Sequence, residues 1–297
     1  VIYWRCEQAF RQLKRTDLFF DPMINGNTEL IAHIGYPTHT FKSPMIYNPY
    51  FEKEGLNALV VPMSCQAADY PVFLKSVFNL TNIRGALITM PHKVTTASLL
   101  DEVTPTVKVA GACNAVKRDA KGRLVGDMFD GAGFVRGVQR KGFDLQGKRV
   151  LVVGSGGVGS AIAASLAAEN IAAISLFDVN ASACDGLAQR LQSEYPQIRV
   201  NVGSNDPEGH DLVVNATPMG MTEGDPLPMD VSRIAPETFV GEVVMRQELT
   251  AFLQAAKNRG CQVQVGSDML FEQIPAYLEY FGFKTTSPDV LRQLAHL

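Results

Sequence analysis

The sequence predicts an α/β fold with two domains, and three observations support this prediction. The chain has 297 residues, about twice the roughly 150 residues of an average domain. From Glu29 onward, apolar runs of strand length alternate with amphipathic stretches of helix length, as in parallel α/β sheets. A glycine-rich turn at residues 154–159 follows one such apolar run, and a second α/β series continues after it.

The sequence of the first half of the chain predicts strands, helices and one β-hairpin. Predicted strands cover residues 29–34, 59–63 and 85–89, and predicted helices cover residues 72–80 and 91–100. Another helix is expected after Ser43 and Pro44, which are residue types typical of a helix N-cap and first turn. Short apolar segments at residues 115–116 and 124–125 flank the turn at 119–122, which indicates a β-hairpin.

The second half predicts a regular α/β series. Strands are predicted at residues 149–153, 173–177, 211–215, 238–244 and 262–265, and helices at residues 131–140, 158–168, 181–195 and 249–257. Two further helices are expected after Gly266. Residues 218–236 contain several prolines and show no period, which predicts a loop at the mouth of a site.

Composition excludes several classes of protein. Hydrophobic residues make up 46% and charged residues 19%, so the chain is not intrinsically disordered. The 27 Lys and Arg against 30 Asp and Glu show no basic cluster, so we expect neither a nucleic-acid nor a membrane partner. No apolar run reaches the roughly 20 residues that span a bilayer. No His, Cys and Asp cluster has metal-ligand spacing, so no metal is predicted.

The cysteines and the N-terminus bear on location. The five scattered cysteines are expected to be free thiols in a reducing cytoplasm: Cys6, Cys65, Cys113, Cys184 and Cys261. The N-terminus lacks the pattern of a secretory signal, which also favours a cytoplasmic location. Residues 1–22 precede Met23 and are either an upstream extension or a native segment with an amphipathic helix at 3–18.

The glycine-rich turn predicts dinucleotide binding. Gly154, Gly156 and Gly159 form GxGxxG, in which the first glycine permits a tight turn, the second admits a pyrophosphate and the third allows close helix packing. Together with Gly157, they would present free N–H groups of a helix N-terminus to phosphates. The alternative is a turn that merely joins strand to helix. The favoured interpretation makes the second domain a Rossmann-type, doubly wound dinucleotide-binding domain.

Asp178 indicates which dinucleotide is preferred. It ends the next predicted strand, 19 residues after Gly159, where a carboxylate accepts hydrogen bonds from the adenosine ribose. A carboxylate there repels a 2′-phosphate, and residues 179–182 contain no Arg or Lys to hold one. The sequence therefore predicts NAD as the cofactor, with NADP disfavoured.

Six motifs occur in the order seen in one enzyme family. They are KSP at residues 42–44, ITMPHK at 88–93, GACN at 111–114, DGAGF at 130–134, NATPMGM at 215–221 and GSDMLFEQ at 266–273. With them, the chain from Ile31 to its C-terminus resembles the shikimate/quinate dehydrogenase family. The resemblance implies an α/β substrate domain at residues 23–127, completed by helices at 268–297, and an NAD domain at 128–267. It also implies reversible oxidation of a ring alcohol to a ketone.

The resemblance assigns roles to individual residues. Lys93 would be the catalytic lysine and Asp130 its partner. Substrate hydroxyls or a carboxylate would be held by Ser43, Thr89, Asn114 and Gln273, and the cofactor also by Asn215, Thr217 and Met221. Without the resemblance, Lys93 reads as a solvated helix-end residue and Asp130 as an N-cap. Ser43 and Thr89 read as helix caps and Gln273 as a surface amide. His39 and His92 are assigned no role.

The reaction makes physical sense for a lysine. Alcohol oxidation needs a base for the hydroxyl proton, and the reverse reduction needs an acid. A lysine side chain can serve both directions, because its amine accepts a proton and its ammonium donates one.

Three residues depart from the family pattern. Phe41, Leu87 and Met245 stand where Ser, Asn and Tyr are expected, and each exchange removes a hydrogen-bonding group. A lost partner costs about 1–3 kcal/mol, so shikimate is expected to bind weakly or a less polar relative to be preferred. The alternative is compensation from the same loop by Thr38, His39, Thr40 or Lys42. We expect a monomer or homodimer acting on a small cyclic hydroxy-acid. The alternative is a regulatory or sensor protein that binds NAD with little turnover.

Overall fold

The computed structural model describes residues 24–297. The expectations for residues 1–22, the start at Met23 and the Cys6 thiol lie outside this described part of the chain.

The first half of the described chain forms a mixed six-stranded sheet. Its strands are β1 (Glu29–Gly35), β2 (Ala58–Ser64), β3 (Ile83–Ile88), β4 (Glu102–Val103), β5 (Ala115–Arg118) and β6 (Leu124–Asp127), in the order β2-β1-β3-β5-β6-β4. Strands β1, β2 and β3 are parallel, whereas β5 runs antiparallel to β3 and β6. The predicted hairpin is therefore confirmed as β5 and β6.

Four helices accompany this sheet: α1 (Pro44–Lys53), α2 (Tyr70–Val77), α3 (Lys93–Ala97) and α4 (Pro105–Ala110). The prediction for residues 91–100 was too long. The His92 N–H donates to the Thr89 carbonyl and forms a turn before the helix, and α3 ends by Ser98. The sequence reading also missed β4 and α4, which are too short to show a clear period.

The second half forms an entirely parallel sheet. Its strands are β7 (Arg149–Val153), β8 (Ala173–Phe177), β9 (Arg199–Val202), β10 (Leu212–Asn215), β11 (Phe239–Glu242) and β12 (Val263–Gln264). Their order is β9-β8-β7-β10-β11-β12. This is the strand order of the doubly wound dinucleotide fold, so the predicted fold class is confirmed. Strand β9 was missed because it is a largely exposed edge strand without an apolar run.

The helices of this half are α5 (Asp130–Arg140), α6 (Gly157–Ala167), α7 (Ala181–Glu194), α8 (Ala251–Asn258), α9 (Gly266–Phe281) and α10 (Pro288–Leu294). The loop predicted at 218–236 contains only one short 3-10 helix, Val231–Arg233. Helices α9 and α10 return to the first sheet, where α9 residues join the core around Tyr47 and Phe51.

Helix α5 lies between the dinucleotide helix and the terminal helix. A Cβ at Gly131 would lie 2.0 Å from the Ala161 carbonyl oxygen in α6, and a Cβ at Gly133 would lie 2.6 Å from the Met269 carbonyl oxygen in α9. Only glycine permits these approaches. They place the N-terminus of α5, which begins with Asp130, at the junction of the two halves.

The cysteines of the described residues carry free thiols. Cys65, Cys113, Cys184 and Cys261 are free and buried. None of the helices in residues 24–297 combines the length and the apolar character that crossing a membrane requires.

Candidate active site

A cavity of about 380 Å³ lies where the two halves meet. Its walls come from the C-terminal ends of β1 and β3, the loop before α1, the first residues of α3 and α5, the segment after β11, and α9. Its lining includes His33, Phe41, Ser43, Leu87, Thr89, Lys93, Asp130, Met245 and Gln273. The volume suits one small ring compound, and both sheets contribute to its enclosure.

Lys93 and Asp130 form an ion pair at this cavity. Nζ of Lys93 lies 2.6 Å from Oδ2 of Asp130, although the residues are 37 positions apart. The Asp130 side chain is 8% exposed and that of Lys93 24%, so the lysine is the member that reaches the open space. Asp130 is the first residue of α5, with Phe129 in the N-cap position. The N-cap interpretation of Asp130 and the solvated interpretation of Lys93 are therefore wrong.

Asn114 lies outside the cavity lining and holds the Asp130 carboxylate of this ion pair. Its Nδ2 donates to Oδ1 of Asp130 at 2.9 Å, and its Oδ1 accepts the Phe129 N–H at 2.9 Å. The side chain is 1% exposed and does not line the cavity. Asn114 therefore holds Asp130 in place, and its expected contact with a substrate hydroxyl stays a prediction, because the bond to Asp130 uses only one of its two amide N–H groups.

The other three expected substrate residues line the cavity. Ser43 occupies the N-cap position of α1, but its side chain makes no capping bond. Thr89 precedes the turn before α3, whose N-cap position is held by His92. Gln273 is buried, and its Oε1 has no partner in the described residues. Ser43 is therefore the N-cap residue of α1, as its alternative states, although it forms no side-chain capping bond. In contrast, Thr89 is not a helix cap and Gln273 is not a surface amide.

The three departures from the family pattern also line the cavity. Phe41 follows the 3-10 helix Thr38–Thr40, Leu87 is in β3, and Met245 follows β11. Leu87 is 3% exposed and Met245 42%, so one lies at the inner wall and the other near the opening. Apolar surface therefore replaces three possible hydrogen-bonding positions.

Sequence reasoning missed His33, a cavity-lining residue in β1. Its ring stacks on Phe41 with centroids 4.0 Å apart, and Nδ1 has no partner among the described residues. Burial, with a smaller effect of the Lys93 charge, lowers the pKa of His33 to about 4. A histidine inside an otherwise apolar strand was the available signal.

The two histidines without an assigned role stay outside the cavity. His92 is buried, stacks on Tyr70 at 3.9 Å and has Nε2 2.9 Å from the Cys65 carbonyl oxygen. His39 is exposed and does not line the cavity. The contacts of His92 are thus structural.

The glycine-rich turn has the shape that a dinucleotide requires. Gly154 has φ +107°, and a Cβ there would lie 2.7 Å from the Ala216 carbonyl oxygen. A Cβ at Gly159 would lie 1.9 Å from the Gly154 carbonyl oxygen. In contrast, a Cβ at Gly156 or Gly157 would meet nothing within 4 Å. Open space therefore faces the N-terminus of α6, where free N–H groups and the helix dipole favour phosphate. The residues fit a bound dinucleotide.

Asp178 lies at the same edge of the sheet. It follows β8, and its Oδ2 accepts the Ser155 N–H at 2.6 Å while its Oδ1 accepts the Asn180 N–H at 2.8 Å. The carboxylate is thus fixed against the glycine-rich turn and stays partly exposed.

The Asn215 motif supports this cleft from β10. Asn215 is fully buried, and its Nδ2 donates to Glu242 Oε2 and to the Met219 carbonyl oxygen. Its Oδ1 accepts from the backbone and side chain of Thr217. The side chain of Asn215 thus holds the turn after β10 in place, and its expected role at the cofactor stays a prediction. Met221 is 45% exposed in the same loop.

A parallel doubly wound sheet with this turn, next to a small-molecule cavity that holds a lysine and a carboxylate, defines a dehydrogenase of the nicotinamide dinucleotide class. Comparison with known proteins identifies the family. The family model described as Shikimate dehydrogenase substrate binding domain matches residues 33–116. The shikimate dehydrogenase (NADP(+)) of Rubrobacter xylanophilus is 32% identical, over 91% of this chain and 95% of that protein. The chain belongs to the shikimate dehydrogenase family.

Solved structures agree with this assignment. Shikimate 5-dehydrogenase from Listeria monocytogenes, in complex with shikimate and NAD, has a TM-score of 0.85 at 27% identity, covering 95% of this chain and 99% of that one. The 5-ketofructose reductase of a Gluconobacter strain, in its ligand-free form, has a TM-score of 0.83 at 25% identity, with coverage of 91% and 98%. This chain is accordingly an NAD(P)-dependent dehydrogenase that acts on a CH–OH group.

Proposed function

We propose that this protein catalyses reversible, NAD-dependent hydride transfer between the nicotinamide and a ring hydroxyl of shikimate, quinate or a related cyclic hydroxy-acid. The observation that carries the proposal is the 2.6 Å contact between Lys93 and Asp130 at a cavity between the two halves. Family membership supports it, because curated relatives are shikimate dehydrogenases.

One half of the chain is proposed to bind the substrate and the other half to bind the dinucleotide. Residues 23–127 with the helices at 268–297 form the substrate part, and residues 128–267 form the dinucleotide part. The two separate sheets and the return of α9 to the first sheet support these boundaries. The cavity then lies between a substrate-binding wall and the dinucleotide turn.

Lys93 is proposed to move the proton. During oxidation its amine accepts the hydroxyl proton, and during reduction its ammonium returns a proton to the forming alcohol. Asp130 orients Nζ through the 2.6 Å contact, and Asn114 fixes Asp130. When bound, the nicotinamide supplies the hydride acceptor or donor. Ser43, Thr89 and Gln273 are proposed to orient the ring through its hydroxyls or carboxylate.

The preference for NAD rests on Asp178. Its carboxylate is held at the end of β8 by the Ser155 and Asn180 N–H groups, so it cannot turn away from a 2′-phosphate without losing both bonds. Several curated relatives use NADP(+), whereas the Listeria structure contains NAD. The proposal for this chain therefore depends on its own carboxylate. Gly154, Gly156, Gly157 and Gly159 would hold the pyrophosphate, with Thr217 and Met221 at the nicotinamide end.

A second candidate is the reduction of an uncharged polyhydroxy ketone. Phe41, Leu87 and Met245 make the cavity less polar, and a 5-ketofructose reductase shares the fold closely. A regulatory protein without turnover is not favoured, because the lysine, the carboxylate and the dinucleotide turn are all in place.

The test is a panel of shikimate, quinate and related ring acids, with uncharged polyols alongside, assayed with NAD and NADP in parallel. We expect NADH formation with at least one ring acid. Turnover of uncharged polyols alone would favour the second candidate. Tight binding of NAD without turnover of any compound would defeat the catalytic proposal.

A further inference from the structure

His33 is a polar residue at the inner wall of the cavity that the proposed reaction does not use. It is 6% exposed, and its Nδ1 has no partner among the described residues. Because β1 pairs with β3 in parallel register, His33 lies beside Leu87. An unpaired nitrogen that deeply buried costs free energy unless a ligand supplies the partner.

The ring is held in place by its neighbours. Phe41 stacks on it at 4.0 Å with an interplanar angle of 27°. A Cβ at Gly35 would lie 2.8 Å from the Phe41 ring, so the glycine at the end of β1 makes room for this stack. The histidine is therefore an ordered part of the wall, fixed between two of the three residues that depart from the family pattern.

The charge of the ring limits what it can bind. Burial and the nearby Lys93 charge lower the pKa of His33 to about 4, so the ring is neutral near pH 7. A neutral imidazole offers one donor and one acceptor, which suits a hydroxyl or carbonyl oxygen. A carboxylate beside Phe41 and Leu87 would receive no compensating charge from the neutral His33 ring; of the lysines at the cavity, Lys42 is exposed and Lys93 is engaged by Asp130.

We propose that His33 is a specificity-determining residue that hydrogen-bonds an uncharged oxygen of the substrate, so that this wall disfavours a carboxylate. The inference rests on the proposed function, since it assumes that the substrate occupies this cavity. It deepens that function by naming the kind of group that the β1 side of the cavity accepts.

The test compares shikimate with its methyl ester, which has the same ring without the charge. Calorimetry measures their binding to the enzyme with NADH bound, a complex in which neither compound is oxidised. We expect the wild type to bind the ester about tenfold more tightly than the acid, since one poorly compensated polar group is worth at least that much. His33→Leu should weaken ester binding about tenfold, whereas His33→Asn, which keeps a hydrogen-bonding group, should retain most of it.

Kinetics and a control separate recognition from structure. For any substrate that turns over, His33→Leu should raise KM and leave kcat nearly unchanged. His39→Leu, which removes an exposed histidine outside the cavity, should change neither. The inference is overturned if the wild type prefers the acid, if neither compound binds, or if His33→Leu binds the ester as the wild type does. Absence of NADH formation from every ring alcohol would defeat the proposed function, while the binding comparison would still decide the role of His33.

Discussion

The side-chain amide of Asn114 lies 2.9 Å from Oδ1 of Asp130, and Nζ of Lys93 lies 2.6 Å from Oδ2 of the same carboxylate. The amide oxygen of Asn114, Oδ1, accepts a hydrogen bond from the Phe129 N–H at the start of α5. The carboxylate is thus held from two sides, and the orientation of Lys93 depends on a residue that does not reach the cavity.

Asn114→Ala should lower kcat by about 10- to 100-fold, because a small displacement of a reacting group has effects of this size. KM should change less, since Asn114 does not line the cavity. Steady-state kinetics on the substrate identified by the panel measure both. Asn27→Ala, an exposed asparagine distant in sequence from the site, is the control. A kcat equal to that of the wild type would show that Asn114 does not position Asp130.

Asp178→Ala should erode the preference for NAD over NADP. The loss of hydrogen bonds to the ribose should weaken NAD binding about tenfold, while removal of the negative charge should improve NADP binding. The ratio of kcat/KM for the two cofactors measures this change. Asp185→Ala, on the exposed side of α7, should leave the ratio unchanged. A wild-type enzyme that prefers NADP would contradict the interpretation of Asp178.

Substitution of two glycines should affect different properties, NADH binding for Gly156 and the free energy of unfolding for Gly131. Gly156→Ala should fold normally, because its φ is −72° and its Cβ would face open space, yet it should bind NADH at least about tenfold more weakly as the methyl group meets the phosphates. Gly131→Ala should lower the free energy of unfolding by about 1–3 kcal/mol, since its Cβ would meet the Ala161 carbonyl oxygen at 2.0 Å. Urea unfolding and NADH titration measure the two effects. Wild-type NADH affinity in Gly156→Ala would argue against phosphate binding at this turn.

His33 should make the protein less stable in acid. Its folded pKa of about 4 lies below the ordinary 6.5, so the unfolded chain binds the extra proton first. The contribution is fully present above pH 6.5 and is lost as the pH falls toward 4, by up to about 3 kcal/mol. His33→Asn should therefore show a flatter fall in unfolding free energy between pH 7 and pH 4. His92 and His210, whose pKa values burial also lowers, are present in both proteins and cancel in the difference. Parallel curves for the two proteins would exclude a buried, neutral His33.

Local sequence signals predicted the dinucleotide half well and the cavity less well. The glycine-rich turn and Asp178 belong to one strand-helix-strand unit, so their spacing along the sequence determines how close they lie in the fold. Lys93 and Asp130 lie on elements of different parts of the chain, and no periodicity brings them together; only the family resemblance did so. The hydrogen bonds of Asn114 to Asp130 and Phe129 were not predicted, because they depend on where α5 begins. His33 was missed because a single histidine in a strand shows neither its neighbours nor the absence of a partner.

The most direct test of the account is the rate of NADH formation by the wild type, Lys93→Ala and Asp130→Asn on the active ring alcohol, with NADH affinity measured in each. Removing a proton-transfer group typically costs about 100- to 10,000-fold. We predict a loss of that order in Lys93→Ala, a substantial loss in Asp130→Asn, and unchanged NADH affinity in both. Turnover within about twofold of the wild type in both variants would contradict a catalytic role for this pair.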